Sequence, residues 1–296
     1  MHINTFACDM CGCGVGGFYL GIMPNFSENI VGIRSQHQRF EHPDTYLNYN
    51  GSSRVKQDLM FRSDLWLRYY ASSRLQILTF VPYQTHIRQE TEHSAQISGI
   101  GDIRFRVLYT IVNTGDSIAG KFKHTLLAGG EVKLPTGPYQ QRDPVRLQIM
   151  PELFQIGTGG YGFAGNLMYT IRYKSVGFTT DFMYTTNTTN ERLYRWGDQV
   201  LSSSRLFYWK NFGRQTLMPS VGISYEHFNP DTYQFRPEGA VYEKNGGTTT
   251  WLQFGLDVYA GRWMFQLFSD LPVQLNLPEG MPAGTWRTGF NVGLFF

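Results

Sequence analysis

The sequence lacks a long apolar run and has little net charge. No segment approaches the roughly 18 consecutive apolar residues that a transmembrane helix requires, which excludes a helical membrane protein. The 26 Lys and Arg residues nearly balance 23 Asp and Glu, for a formal net charge of +3, and the basic residues do not cluster. We therefore expect no nucleic-acid partner.

Two further signals are missing. Residues 1–7 have neither a basic stretch nor a long apolar core, so we expect no complete signal peptide there. Two interpretations of this start stay open: Thr5–Ala7 is the end of a cleaved signal, or the start is truncated. No Gly-x-Ser-x-Gly motif and no recognisable nucleophile–histidine pair occurs, so we expect no enzyme.

The sequence is instead rich in short alternating segments. Aromatic residues make up 16% of the chain, and Asp58–Tyr70 places mostly apolar residues on one face and mostly charged residues on the other. This period of two is that of a β-strand. We predict twelve such strands, near 30–40, 55–70, 74–86, 97–112, 121–134, 161–174, 175–187, 199–211, 214–228, 248–260, 261–275 and 284–296.

Prolines interrupt three of these predicted strands. Pro82, Pro219 and Pro272 each lack the backbone donor that a strand ladder uses. We therefore expect each proline to mark a strand end or a bulge.

The connections between the predicted strands alternate between short and long. Short turns follow the second, sixth, eighth and tenth strands, and long connections such as Pro135–Gly160 follow the odd-numbered ones. The exception is the moderately long connection Asn113–Gly120 after the fourth strand. This is typical of outer-membrane barrels, with short periplasmic turns and long extracellular loops. The sequence predicts an all-β protein: a closed antiparallel transmembrane β-barrel of about 12 strands, spanning residues 30–296. Both termini would be periplasmic, and residues 1–29 would form a separate segment that partly plugs the barrel.

If the apolar faces contact lipid, the charged faces line the lumen. The residues predicted there are Arg62, Asp64, Arg68, Asp102, Arg104, Arg106, Glu131, Lys133, Arg172, Asp181, Arg205, Glu226, Asp257, Asp270 and Arg287. Both signs occur in comparable number, so we predict no strongly ion-selective pore. Two interpretations stay open: ion pairs that fill a narrow barrel, and a polar conduit. Twelve strands enclose more space than side chains alone fill, so water, an inserted loop or the N-terminal segment would occupy the rest.

All three cysteines lie within six residues, at Cys8, Cys11 and Cys13. The neighbouring glycines let the backbone curl, and three thiolates suit a soft metal: Cu(I) in trigonal geometry, or Zn with a fourth ligand such as His2 or Asp9. Two alternatives stay open. Two of the cysteines form a disulfide and leave one free, or Cys8 is lipidated.

Three stretches resemble known outer-membrane proteins. Cys8–Phe26 (CDMCGCGVGGFYLGIMPNF) resembles the N-terminus of a group of Gram-negative transporters that begin with a similar CDxCGC and G-I-x-P-x-F. Gly129–Gly137 (GGEVKLPTG) and Gln155–Gly159 (QIGTG) are similar to motifs of the barrel family named for a phenol-degradation pathway. The resemblance implies an outer-membrane barrel with a transport role and, for the CDxCGC group, a link to copper or other metal handling. It implies no established substrate and no catalytic residue.

These observations favour a porin-like transporter or channel in the bacterial outer membrane. It would contact outer-membrane lipid, pass a small solute or a metal ion, bind copper or zinc through the cysteines, and work with a periplasmic metal-handling partner. Three alternatives stay open: a structural or adhesion barrel that acts through its long loops, a barrel enzyme, and a soluble all-β protein. The last would leave large apolar faces exposed to water.

Overall fold

The computed structural model describes residues 28–42, 56–90, 93–114, 122–234, 241–278 and 281–296. The predicted N-terminal segment, including Cys8, Cys11 and Cys13, lies outside these residues. No helix among the described residues is long and apolar enough to cross a membrane.

The described residues form seventeen strands and one 3₁₀ turn, Glu152–Phe154. The strands are β1 Ile30–Glu41, β2 Lys56–Tyr70, β3 Leu75–Glu90, β4 His93–Ile100, β5 Arg104–Asn113, β6 Phe122–Lys133, β7 Gly162–Tyr173, β8 Val176–Asn187, β9 Tyr194–Arg195, β10 Gln199–Tyr208, β11 Lys210–Phe212, β12 Gln215–Phe228, β13 Asp231–Gln234, β14 Val241–Lys244, β15 Gly247–Ala260, β16 Trp263–Asn276 and β17 Ala283–Phe295.

Fourteen of these strands close into one antiparallel barrel. Sequential neighbours pair around the sheet, and β1 pairs with β17, with Ile30 opposite Phe295. Strands β4 and β5 are two halves of one barrel strand, and β10 and β11 are two halves of another. The barrel therefore has twelve strands, which confirms the predicted fold and all twelve predicted segments.

Each of the three prolines faces an interruption in a ladder. At Pro82 the partner of β3 changes from β5 to β4. Pro219 lies opposite the break between β10 and β11, and Pro272 lies beside the bulge at Thr250–Trp251. The missing backbone donor explains all three positions, as predicted.

One connection differs from the prediction. The expected long connection Ile87–Gln96 is wrong, because β3 continues to Glu90 and β4 begins at His93 as an extended hairpin. Two of the long connections contain short strands of their own: β9, β13 and β14 form a three-stranded sheet separate from the barrel sheet. The end of the barrel that carries the short turns is here called the turn end. The end that carries the long connections is called the loop end.

The outer wall is apolar. Four leucines on this wall are each 46–59% exposed: Leu65, Leu167, Leu206 and Leu267. In water, such an exposed apolar surface would be unfavourable. Exposed aromatic side chains lie towards both ends of the wall. They are Tyr69, Tyr109, Tyr173, Tyr208 and Trp263 near the turn end, and Tyr161, Tyr184 and Tyr225 towards the loop end. Apolar bands flanked by aromatic rings are typical of the lipid-facing side of membrane barrels.

Candidate functional site

The barrel interior holds a dense set of charged side chains. They lie on the strand faces opposite the exposed apolar residues, because strand side chains alternate. Thirteen of the fifteen residues predicted to line the lumen are buried, and Arg172 and Asp181 are half-buried. The buried residues are Arg62, Asp64, Arg68, Asp102, Arg104, Arg106, Glu131, Lys133, Arg205, Glu226, Asp257, Asp270 and Arg287.

Most of these charges are brought together as ion pairs. Arg62 contacts Asp64 at 2.7 Å. Arg106 contacts Glu131 on the next strand at 2.7 Å, with Arg104 3.9 Å from the same carboxylate. Pairing compensates the cost of removing these charges from water.

Arg287 lies at the centre of a second group. Its guanidinium contacts Asp270 on β16 at 2.8 Å and Glu226 on β12 at 2.9 Å. It also stacks over the Trp251 ring, 4.7 Å from the ring centroid. One cation thus links three strands of the wall through its planar group.

An apolar cluster lies in the interior at the turn end, with members on all the barrel strands except β6, β7 and β8. This turn-end cluster comprises Ile30, Trp66, Leu78, Phe80, Leu108, Phe207, Met218, Tyr259, Met264 and Phe295. The Trp66 indole also donates a hydrogen bond to Asn291 Oδ1 at 2.8 Å. These side chains occupy inward positions that strand alternation alone would assign to polar residues.

At the loop end, the connection between β6 and β7 folds into the barrel mouth. Its 3₁₀ turn buries Phe154 completely, and His86 Nδ1 donates a hydrogen bond to the Phe154 carbonyl at 3.0 Å. The Arg88 guanidinium stacks over the Phe154 ring at 4.6 Å. An apolar cluster surrounds this turn: Phe40, Met60, Ala95, Ile97, Met150, Leu153, Phe154, Ile156, Tyr194, Trp196 and Met281. An inserted loop, one of the three predicted occupants, therefore closes this end.

The Asp102 carboxylate anchors both ends of the inserted loop. It accepts hydrogen bonds from the Gly137 amide at 2.9 Å and from the Thr158 amide at 3.0 Å. Lys133 Nζ lies 3.9 Å away. Gly157 packs directly on Gly137, and its amide donates to the Pro138 carbonyl. The two glycine-containing motifs singled out in the sequence thus meet at this carboxylate.

The outer part of the same loop is fastened by Asp143. The His93 ring donates a hydrogen bond to its carboxylate at 2.7 Å, and Arg146 contacts Glu90 at 3.2 Å. Burial raises the pKa of the Asp143 carboxyl, but hydrogen bonds from the Arg146 and Val145 amides and from His93 outweigh it and lower the pKa to about 2.

Two small pockets lie in the interior, one between the inserted loop and the barrel wall and one along β5, β6, β7 and β8. The first encloses about 290 Å³ and is lined by residues including Arg62, Arg104 and Thr158. The second encloses about 260 Å³ and is lined by residues including Arg104, Lys133 and Asn187. Lys133 Nζ joins the two linings, because it donates to Thr158 Oγ1 at 2.8 Å and to Asn187 Oδ1 at 3.2 Å.

The described part of the chain contains no group of three or more His, Cys, Asp or Glu residues that could hold a metal ion. The predicted ligands Cys8, Cys11 and Cys13 lie outside that part, so the metal site stays a prediction.

Sequence reasoning did not assign a role to Thr158, Asn187 or Phe154. Thr158 belongs to the QIGTG motif, which was the available signal. Phe154 lies in an irregular segment, where no periodicity indicates which side chains turn inward. Asn187 is the last residue of β8 and is in phase with the inward Asp181, so strand alternation was its signal.

No protein-family model and no curated protein sequence matches this chain. Solved structures do match. An outer membrane channel from Pseudomonas putida F1 aligns over 93% of this chain and 100% of its own, with a TM-score of 0.62 and 12% identity. The β domain of the Bordetella autotransporter BrkA aligns over 91% of this chain and 100% of its own (TM-score 0.45, 10% identity). The translocator domain of the autotransporter NalP from Neisseria meningitidis aligns over 90% and 88% (TM-score 0.40, 11% identity). At 12% identity, the similarity to the Pseudomonas channel shows the fold alone. This chain has a twelve-stranded barrel like that of the channel.

Proposed function

We propose that this protein is a channel or transporter of the bacterial outer membrane that passes a small solute. The observation that carries the proposal is the wall itself, which is apolar and aromatic outside and densely charged inside. A barrel with that distribution is stable in lipid, because its backbone donors and acceptors are paired within the closed sheet.

The sorting of the connections supports an orientation. The short turns and the start of β1 share one end, and the inserted loop and the extended β3–β4 hairpin share the other. Outer-membrane barrels keep short turns on the periplasmic side. We therefore place both ends of the barrel sequence in the periplasm and the inserted loop outside.

The filled interior supports the proposal that the transported solute is small. Two pockets of about 260 and 290 Å³ lie among the ion pairs of the interior and beneath the inserted loop. Passage of a solute through this region requires the inserted loop or its hydrogen bonds to yield, which is the behaviour of a gated channel rather than of an open pore.

A metal-linked form of this function rests on the sequence alone. Cys8, Cys11 and Cys13 would bind Cu(I) or Zn near the periplasmic mouth and pass it to or from a periplasmic partner. The same residues 1–29 would occupy part of that mouth.

The experiment is reconstitution of the purified, refolded protein into planar bilayers and solute-loaded liposomes. We expect discrete conductance steps and release of a small hydrophilic solute, with none from protein-free membranes or from heat-denatured protein. A folded barrel that gives neither conductance nor solute release at any applied voltage would contradict the proposal. Protease cleavage of tags placed at Arg262 and at Asn245 in whole cells tests the orientation, since only the second tag should be accessible.

A further inference from the structure

The barrel interior is filled unevenly around its circumference. On β16, β17 and β2, inward residues such as Gln266, Asn291 and Asp64 are no more than 2% exposed. On β6, β7, β8 and β10, inward residues Thr125, Thr170, Thr179 and Ser203 are all half-buried. Other inward residues of these four strands, such as Leu127, Met183 and Phe207, are buried. The first side of the interior is therefore packed, and the second keeps access to solvent at its hydroxyl positions.

Side-chain size explains the difference. The packed side carries the large residues of the turn-end cluster, including Trp66, Phe80 and Met264. The open side carries hydroxyl residues that bond mainly along the wall. Thr170 and Thr179 share a hydrogen bond of 2.9 Å across adjacent strands. Small residues that bond to neighbouring strands leave the space in front of them free.

The open side forms a mostly polar strip towards the loop end, interrupted by the buried Met183 side chain on β8. From Thr170 and Thr179 it passes the half-buried Asp181 and Thr185 and reaches the 260 Å³ pocket at Lys133, Met183 and Asn187. Beyond the hydrogen bond from Lys133 to Thr158 lies the 290 Å³ pocket beneath the inserted loop. Arg104 lines both pockets, and the contact between Lys133, Thr158 and Asn187 lies where their linings meet.

We infer that solute crosses this barrel off its axis, along a hydroxyl-lined crevice on β6, β7, β8 and β10, and that Lys133, Thr158 and Asn187 form its closure. The inference rests on the proposed channel function and specifies its route. Hydroxyl and charged groups replace the hydration shell of a polar molecule and offer little to an apolar one. The solute class is therefore small and hydrophilic.

The route is tested first by thiol accessibility, which does not depend on conductance. Cys8, Cys11 and Cys13 are replaced by Ser, and a single cysteine is introduced as Thr179→Cys or as Asn291→Cys. Both positions are inward and close to the turn end, but Asn291 lies on the packed side. We expect a charged methanethiosulfonate to modify the Thr179 variant about tenfold faster or more, since thiol reaction requires solvent access. Equal rates in the folded barrels would overturn the crevice.

The closure is tested by conductance. Thr158→Val removes the hydroxyl that accepts from Lys133, and Lys133→Met removes the donor. Both variants should show larger or more frequent openings than the wild type, and Thr158→Ser should keep most of the closure. Thr249→Val is the matched control, because Thr249 is fully buried on β15 away from the crevice. Folding of each variant is checked by heat-modifiable gel mobility.

The outcomes separate the two proposals. Conducting channels whose openings are unchanged by Thr158→Val and Lys133→Met would overturn the closure while leaving the channel function in place. A reactive Thr179 position with no conductance in any variant would overturn the channel function and the route together, and leave only a water-filled crevice.

Discussion

The Asp102 carboxylate accepts a hydrogen bond from the Thr158 hydroxyl at 2.6 Å, although 56 positions separate the two residues. Asp102 lies at the break between β4 and β5, where the irregular backbone at residues 101–103 turns its side chain into the barrel. Thr158 lies at the inner end of the inserted loop. This bond joins the wall to the loop at the level of the proposed closure.

Asp102→Asn should destabilise the barrel and loosen the inserted loop. An amide cannot accept on both sides, so at least one buried donor loses its partner, and an unsatisfied buried donor costs about 1–3 kcal/mol. Urea unfolding followed by tryptophan fluorescence measures the change. The control is Glu41→Gln, whose side chain is 52% exposed and should change stability by less than about 0.5 kcal/mol. Equal stability of the two variants would show that Asp102 does not anchor the inserted loop.

Gly157→Ala should displace the inserted loop. A Cβ at Gly157 would overlap the backbone of Gly137, which cannot move aside as a flexible side chain would. A Cβ at Gly165 on β7 would meet nothing within 4 Å, so Gly165→Ala is the matched control. Limited proteolysis of the folded proteins should cleave residues 138–160 faster in the first variant only. Unchanged protection in Gly157→Ala would show that the two glycines do not need to touch.

Leu65→Arg should destabilise the protein in bilayers by about 2–4 kcal/mol, because Leu65 faces outward near the middle of β2. Phe212→Arg is the control. Phe212 also faces outward but lies at the turn end, where the cost of an Arg falls to about 0–1 kcal/mol. Reversible unfolding from phosphatidylcholine vesicles gives both values. Similar costs at the two positions would argue against a membrane midplane near Leu65.

Docking of the outer loop should weaken in strong acid. The pKa of Asp143 falls from 3.8 to about 2 in the fold. Its ionised form therefore stabilises the docked loop fully above pH 3.8, and this contribution is lost as the pH falls through about 2. Pepsin, which is active in this range, should cut near Leu147 progressively faster between pH 4 and pH 2.

Asp143→Asn is the comparison, since it lacks the titrating group. The ratio of the wild-type cleavage rate to the variant rate should rise towards one as the pH falls. Taking this ratio removes the pH dependence of pepsin itself, because both proteins are cut at the same pH. A ratio independent of pH would show that Asp143 does not fasten the loop. His93→Gln should weaken the same docking without removing the two amide hydrogen bonds.

The reduced protein should bind about one soft metal ion per chain through Cys8, Cys11 and Cys13. Affinity should fall with pH because the thiols must be deprotonated. Thiol titration and elemental analysis of one chelator-free sample measure both, and replacement of all three cysteines by Ser should abolish binding. A stable disulfide, with no metal bound after reduction and copper or zinc loading, would leave the cluster as a covalent crosslink.

The barrel was predictable from the sequence because its strands face lipid on one side and a polar interior on the other. Apolar and polar residues therefore alternate with a period of two. Asp58–Tyr70 and its eleven counterparts each show lipid on one face, so alternation marks the strands, and the prolines mark the breaks. The lumen was less predictable. Trp66, Leu78 and Phe80 fill inward positions, and the pattern of alternation cannot distinguish an apolar filler from a lipid-facing residue on a shifted strand.

The inserted loop could not be predicted in the same way. Leu153, Phe154 and Ile156 have no regular spacing, so nothing local indicates that they turn into the barrel mouth. Their position depends on Asp102, which lies far from them in sequence and is recognisable only as one charged residue among many. The motifs Gly129–Gly137 and Gln155–Gly159 were visible, but their contact is a property of the folded sheet.

The pairing of Ile30 with Phe295 dictates the order in which the chain can be completed. The free edge of β1 finds its partner only in the last strand of the barrel, so the sheet cannot close until the whole barrel sequence has been made. Until β17 arrives, two long strand edges with unpaired backbone groups stay open to pairing with other chains. Closure of the barrel therefore requires that the edges of β1 and β17 meet before either edge pairs with another chain.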